Sequence, residues 1–540
     1  MQERSLTIPE ALFATPERES CEHVFHLEEG EVRLGLAELA ERGLRGARRL
    51  RALGIEPGDA VGILGPNRPE WVVSAFATWV SGAVLVPLQL PLRVRDPNAF
   101  REQLNNLIRA AGCRLVLVGP GLATLLPDGV AVPWDDEGGE SAEDPHSPMP
   151  DDVAVVQFTS GSTAVPKGAQ ISHAAVAAQM EALRRIYCHE DGRPRVVINW
   201  TPFFHDLGLF GNAVQPVFSG ATVHQLPTDR FARDPAEWLR LVETTGAGLT
   251  AAPCSAFASA LRAAGRRGER IDLGSLDVAY FAAESIDVDV AERMVEAPGL
   301  GFRPEAIGGT YGLAEAVMAA ALPPAGTGLR VDRVSRESLA TAGVAVPAAG
   351  GPSRALASCG QPLMDLRIRR EGEEAPERHV GEIQVRGTSL MSGYVGDGAA
   401  DSFEDGWLRT GDLGYLVEGE LFVTGRAKDV MIAMGHNYHP EDFEWAASRV
   451  DGVRPGRCVA FGLPDREGVV VLVEASSDST ASDLERRVKD TVANVVGVAP
   501  TAIVVLPPGV VQKTTSGKLR RAAMREEYMS GVLAGVGSSA

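Results

Sequence analysis

What this chain has little of narrows its class before any motif is considered. Its 540 residues include six cysteines, at positions 21, 113, 188, 254, 359 and 458, with no CxxC pair and no spacing that suits a metal ion. Neither a disulfide framework nor a zinc module organises the fold, and the thiols read as reduced residues of a cytosolic protein. Positive charge is also in short supply. Against 71 Asp and Glu there are 52 Lys and Arg, a formal net charge of -19. Nucleic acid is therefore not an expected partner, because phosphate backbones are held by clustered cations that displace counterions. Long apolar runs are missing too. The longest, VVSAFATWVSGAVLVPL from Val72 to Leu88, is broken at Ser81-Gly82 and stopped at Pro87, short of the about 20 apolar residues that a spanning helix needs. It reads as a buried helix turning into a buried strand, with no membrane span. The opening MQERSLTIPEALF lacks a basic stretch followed by an apolar run, so no secretory leader is expected.

What is present is ordinary globular material. Apolar residues make up 45% and charged ones 23%, as in a typical soluble protein, and the length calls for at least two domains. Short β-branched runs (RLVLV at 114–118, VVVLV at 469–473, AIVVL at 502–506) lie between longer segments with helical spacing, such as AELAERGLRGARRLRALGI. That alternation predicts an α/β fold with mostly parallel sheets. The acidic, proline-containing stretch from Asp135 to Asp152 has almost nothing to bury and reads as a surface linker; Leu322 to Ala357, rich in Ala, Pro and Gly, reads as an insertion.

The most informative stretch is VAVVQFTSGSTAVPKGAQISH, from Val153 to His173. A buried strand runs into Thr159, Ser160, Gly161, Ser162 and Thr163, then Pro166-Lys167-Gly168, with a helix start at Ser172. Small residues let backbone N–H groups and hydroxyls converge on a phosphate, and Lys167 adds charge. The P-loop pattern is absent, and a Ser/Thr/Gly loop taken alone is more often only a polar loop. Further motifs follow in order: GGTYGLAEA (308–316), WLRTGDLGYL (407–416), LFVTGRAKD (421–429) and KTTSGKLRR (513–521).

Together these motifs resemble, over nearly the whole chain, the adenylate-forming enzymes that include acyl-CoA synthetases, peptide-synthetase adenylation domains and luciferases. The resemblance implies a large N-terminal domain of mixed and parallel sheets flanked by helices, residues 1–427, holding ATP and the acyl pocket. It also implies a small mobile α+β C-terminal domain, residues 428–540, carrying the catalytic lysine. ATP and Mg²⁺ are the implied cofactors. A carboxylate attacks the α-phosphate and releases pyrophosphate; a thiol then attacks the acyl-adenylate. Anions meet in the first step, so cations are needed, and the mixed anhydride needs protection from water.

Carried over residue by residue, Glu315 matches the Mg²⁺ ligand and Tyr311 the aromatic packed against adenine. Thr310, with the backbone around Gly308 and Gly309, would line the nucleotide and the reacting carboxylate. Asp412 matches the acid that takes the ribose hydroxyls, Arg426 a ribose or phosphate contact, Lys428 the hinge, and Lys518 the catalytic lysine that enters the site for adenylation. His205, in NWTPFFHDLGLFG, falls beside the acyl carboxylate and the thiol entrance. Around it, Trp200, Phe204, Leu209 and Gly308 are candidates for an apolar acyl pocket, or else core. Arg520 and Arg521 read as surface charge, facing an acidic carrier protein. One departure stands out: Ala164 occupies a position where the family usually has glycine, and would be strained there if φ is positive.

Three features resemble the fatty acyl-AMP ligase branch. FFHDLGLFG looks like its HDMGL motif, MGHNYHPEDFE (434–444) like its GRNHYPQDIE motif, and residues 316–359 separate Glu315 from Gly360-Gln361-Pro362 much as that branch's insertion does. The expectation is activation of a fatty or other apolar carboxylic acid to acyl-AMP, then transfer to the phosphopantetheine thiol of an acyl carrier protein. CoA as acceptor is the alternative. A catalytically weak homologue serving as a binding protein is the remaining one.

Overall fold

The computed structural model describes residues 6–14, 21–90, 96–134, 146–158, 167–396, 402–464, 466–476, 481–513 and 518–535. The phosphate-loop residues Thr159 to Thr163, with Ala164, lie outside this set. So do most of the acidic linker and Gly517 of the lysine loop.

Buried runs in the sequence become parallel strands covered on both faces. Ala60–Leu64 is buried at every position, as a strand between two helical layers must be. It is flanked by Val84–Pro87 and Cys113–Val118, and Val153–Phe158 and Ala131–Pro133 extend the parallel array. Gly168–Ser172 and Gly393–Tyr394 add antiparallel to complete a seven-stranded sheet. The expected helix-then-strand is present: Pro69–Val80 is buried at every position but Glu70, and the chain turns through Gly82, at φ +79°, into the strand. That helix lies close against Leu36–Ala52, where a Cβ on Gly46 would come within 2.6 Å of the Ala77 Cβ.

A second seven-stranded sheet runs Ile307–Gly309, Val278–Phe281, Leu249–Ala252, Val196–Asn199, Thr222–Gln225 and Glu22–Leu27, all parallel, with Gly30–Gly35 antiparallel at its edge. A third sheet is antiparallel and ends in the long hairpin Trp407–Val417 and Glu420–Arg426. The insertion is itself folded. Val331–Ser335 pairs antiparallel with Ser353–Ala357 around the helix Arg336–Ala342, and Val334, Leu339 and Leu356 share a small core with Tyr415, Val417 and Phe422 of the third sheet.

Beyond Arg426 the chain makes a tight turn, Ala427–Asp429, and builds a smaller unit. Val453–Gly462 and Val469–Ala475 pair antiparallel, Ala502–Leu506 joins parallel, and the helices Pro440–Ser448, Ala481–Val496 and Arg521–Met529 pack around them. Its two cores draw only on residues from Met431 onward, whereas the cores of the larger part stop at Val423. Among the described residues no helix is long and apolar enough to cross a membrane.

Candidate active site

The two parts face each other across a cavity of about 2260 Å³. One corner of it is built by the hairpin of the third sheet, whose register sets Asp412 directly opposite Arg426. Arg426 Nε donates to Asp412 Oδ1 at 2.6 Å, and the Tyr311 hydroxyl donates to Asp412 Oδ2 at 2.8 Å. Burial, reinforced by the Asp412 charge, pushes the Tyr311 hydroxyl well above its usual range, so it stays a donor. Thr310 lines the same space, its hydroxyl donating to the Phe281 carbonyl at 3.0 Å. Lys428, in the next turn, has its ammonium pKa lowered by burial and by the neighbouring Arg426.

Glu315 is presented by a loop that doubles back on itself. Tyr311 N–H donates to Ala321 O and Ala320 N–H to Tyr311 O, and Val317 takes φ +63°, a costly conformation for a β-branched residue. The Tyr394 hydroxyl donates to Glu315 Oε1 at 2.5 Å, and Lys167 Nζ sits 5.0 Å from the centre of the same ring. Tyr394 thus joins the expected metal ligand to the lysine of the phosphate loop. Among the described residues no group of three or more His, Cys, Asp or Glu could hold a metal. A single carboxylate still suits Mg²⁺, which is usually held by one or two carboxylates plus substrate phosphates.

The segment carrying His205 is fixed by buried amides. Asn67 Nδ2 donates to Thr201 O at 2.8 Å and its Oδ1 accepts from Phe203 N–H at 3.0 Å, while Gln157 Nε2 donates to Phe204 O at 2.9 Å. A Cβ on Gly208 would lie 2.0 Å from Pro202 O, so the tight turn after the His-Asp pair admits only glycine there. His205 Nδ1 lies 2.5 Å from Asp206 Oδ1. Burial works to raise the Asp206 pKa, but the charges of His205 and Lys518 hold it below the usual carboxylate range. Lys518 lines the cavity and also acts on Glu284, whose carboxyl is raised by burial although it accepts the Ser255 N–H at 2.6 Å.

The acyl-pocket expectation needs correction at two positions. Trp200 and Phe204 do line the cavity. Leu209 is fully buried as a member of the main core instead and does not line the cavity. Gly308 is covered: a Cβ there would meet the Tyr280 ring at 2.6 Å, and Tyr280 is the residue that faces the space. Gly309 is likewise pressed against Ser358 O, 2.4 Å from where its Cβ would stand, so it offers close backbone packing and no side-chain room. Arg521 is not surface charge either. Its side chain is 18% exposed and paired with three carboxylates. Residues that the sequence reading passed over are Tyr394, Glu284 and Asp206. Only Asp206 had a signal, its place beside His205.

The insertion reaches across to the smaller part. Arg336 Nη1 and Arg354 Nε approach Asp442 Oδ1 at 2.7 and 3.1 Å, all three side chains being about nine-tenths buried. Arg336 also stacks over Trp445 at 5.8 Å. The Asp442 carboxyl, despite burial, is held below its usual range by Arg354 and Arg336.

Comparison with known proteins fits this geometry. The AMP-binding enzyme family matches residues 12–395. The chain belongs to that family. A long-chain-fatty-acid–AMP ligase, FadD26 of Mycobacterium marinum, is 31% identical to this AMP-binding enzyme over 88% of each chain. A Caulobacter vibrioides protein provisionally named acyl-CoA synthetase is 33% identical over 92% of this chain and 91% of that one. A solved structure from a study of fatty acyl-adenylate ligases of E. coli and L. pneumophila superposes with TM-score 0.91 at 30% identity, covering 98% of both chains.

Proposed function

We propose that this enzyme uses ATP and Mg²⁺ to activate a fatty or other apolar carboxylic acid as acyl-AMP, releasing pyrophosphate. It then passes the acyl group to the phosphopantetheine thiol of an acyl carrier protein. The observation that carries this reading is one cavity lined by the Tyr311–Asp412–Arg426 corner, by Glu315 and by Lys518. Asp412 would take the ribose hydroxyls, with Arg426 beside it; Tyr311 would pack on adenine. Glu315 would hold Mg²⁺, which when bound neutralises phosphate charge. Lys167, with the loop of Thr159 to Thr163, would steady the leaving pyrophosphate, and Lys518 would offset charge between the acid and the α-phosphate. His205 borders the acyl carboxylate. Residues 1–427 and 428–540 act as two domains, the second turning about Lys428 between half-reactions.

The carrier-protein acceptor is supported by the insertion, whose arginines grip Asp442 and restrain the smaller domain. A wide swing of the smaller domain would have to separate this buried, charge-paired contact. The six cysteines, five of them buried and none in a disulfide, support a reducing, cytoplasmic setting. The test is pyrophosphate release with ATP, Mg²⁺ and a panel of carboxylic acids, followed by addition of carrier protein or CoA. Release with an apolar acid and loading of the carrier are expected. Abundant acyl-CoA would overturn the acceptor, and no release with any acid would overturn the activity.

A further inference from the structure

Arg521 opens the helix Arg521–Met529, three residues after Lys518. Its guanidinium is fully engaged. Nε donates to Glu444 Oε1 at 3.0 Å, Nη2 to Glu444 Oε2 at 3.0 Å and to Glu441 Oε1 at 3.2 Å, and Nη1 to Asp429 Oδ2 at 2.9 Å. The fork on Glu444 is the bidentate geometry that only arginine offers. Its acceptors come from two places that matter for motion. Asp429 ends the turn Ala427–Asp429 that contains Lys428, and Glu441 and Glu444 lie on the helix Pro440–Ser448. Glu444 Oε1 also accepts the Ala460 N–H at 3.0 Å, tying the cluster to the smaller sheet.

The two stems of the lysine loop are joined to each other as well. Lys513 and Leu519 form an isolated β-bridge, and Arg520 N–H donates to Gln512 O at 3.0 Å. The first stem is held by the fully buried Glu474, which accepts the Val511 N–H at 2.7 Å, and by Arg457, which donates to Val511 O at 3.0 Å. Asp429 is the contact that links this assembly to the turn about which the smaller domain would rotate. Glu441 and Glu444 hold Arg521 to the helix Pro440–Ser448, and the separate Nη1 bond to Asp429 is what extends the cluster to the turn.

We propose that Arg521 is a positioning residue for Lys518: it fastens the lysine loop to the hinge turn, so that rotation about Lys428 delivers the lysine as part of a rigid lever. This rests on the reading that Lys518 serves acyl-adenylate formation. A loop freed from the hinge would still carry its lysine, but at a spread of positions, and misplacement of about 1 Å can cost about 100-fold.

The test uses the full-length enzyme with Arg521→Lys and, as the narrower change, Asp429→Asn, which keeps both glutamate contacts. Acyl-AMP formation from ATP and acid is measured separately from transfer of supplied acyl-adenylate to a phosphopantetheine thiol, and hydrogen exchange is followed in residues 427–430 and 519–524. The expected result is a fall of about 10- to 100-fold in kcat for adenylation with KM for ATP unchanged, transfer within about twofold, and faster exchange at both segments together. Parallel loss of both half-reactions would overturn the proposal in favour of a merely structural role. Unaltered exchange at 427–430 in both variants would overturn it too. Absence of pyrophosphate release by the unaltered enzyme would instead sink the functional reading, which the exchange result does not depend on.

Discussion

The Asp412–Arg426 corner and the loop of Lys518 hold their charged groups by different means. Asp412 and Arg426 face each other across a hairpin whose backbone register fixes both, and Asp412 is only 8% exposed. Their separation is a consequence of strand pairing, so the corner exists before any ligand arrives. Lys518 is exposed, and the stems of its loop are held by the Val511 N–H bond to Glu474, by the Arg521 ion pairs to Glu444 and Asp429, and by a single β-bridge between Lys513 and Leu519. Under the proposed function, the groups that hold the nucleotide are built into a paired hairpin, and the lysine used for one step is carried on side-chain contacts of the smaller unit.

That contrast can be broken most sharply at the lysine. Lys518→Ala should lower acyl-AMP formation by about 100- to 1000-fold while ATP binding, measured by calorimetry, stays nearly unchanged. Equal loss of binding and rate would mean that the lysine is a ground-state ligand and that the two regions do not divide the work. Asp412→Ala should act the other way. It leaves Arg426 and the buried Tyr311 hydroxyl without their acceptor, so kcat/KM should fall by about 10- to 100-fold, mostly through KM for ATP. A pure kcat effect would remove Asp412 from the binding corner.

The smallest effect concerns the seam between the regions. His439 packs under Gly425, 2.5 Å from where a Cβ there would stand. Burial first, then the nearby Arg354 charge, lower its pKa from 6.5 to about 4, with Asp442 and Glu441 acting in the opposite sense. A depressed folded-state pKa means that the contribution is complete above pH 6.5 and is lost as pH falls toward 4, because the unfolded chain takes up the proton first. Between pH 7 and pH 5 the stability of residues 431–462, read by hydrogen exchange, should drop by about 1–2 kcal/mol. His439→Asn should flatten that dependence; an unchanged slope would place the responsible group elsewhere.

Much of this was readable from residue order, for reasons that differ by element. The strands at 469–473 and 502–506 announce themselves because β-branched residues in unbroken runs have few other folded states. Arg521 was misread because the sequence around it, KLRR, looks like solvated charge, and its three carboxylate partners lie up to 92 positions away. Tyr394 was missed for a similar reason: its hydroxyl meets Glu315 only after Gly393–Tyr394 adds to the edge strand Gly168–Ser172. Leu209 and Gly308 were read as pocket residues because apolarity and smallness do not say whether a residue faces a cavity or the core.

The sequence by itself determined the α/β class, the order of the motifs and the identity of the groups that carry charge, because those depend on local spacing and residue chemistry. Tertiary structure alone decided which charges are paired. It set Arg336 and Arg354 on Asp442, Tyr394 between Glu315 and Lys167, and Arg521 between Glu444 and the turn Ala427–Asp429. Electrostatic partnership acts through space over a few ångströms, and only the folded chain brings residues so distant in sequence that close.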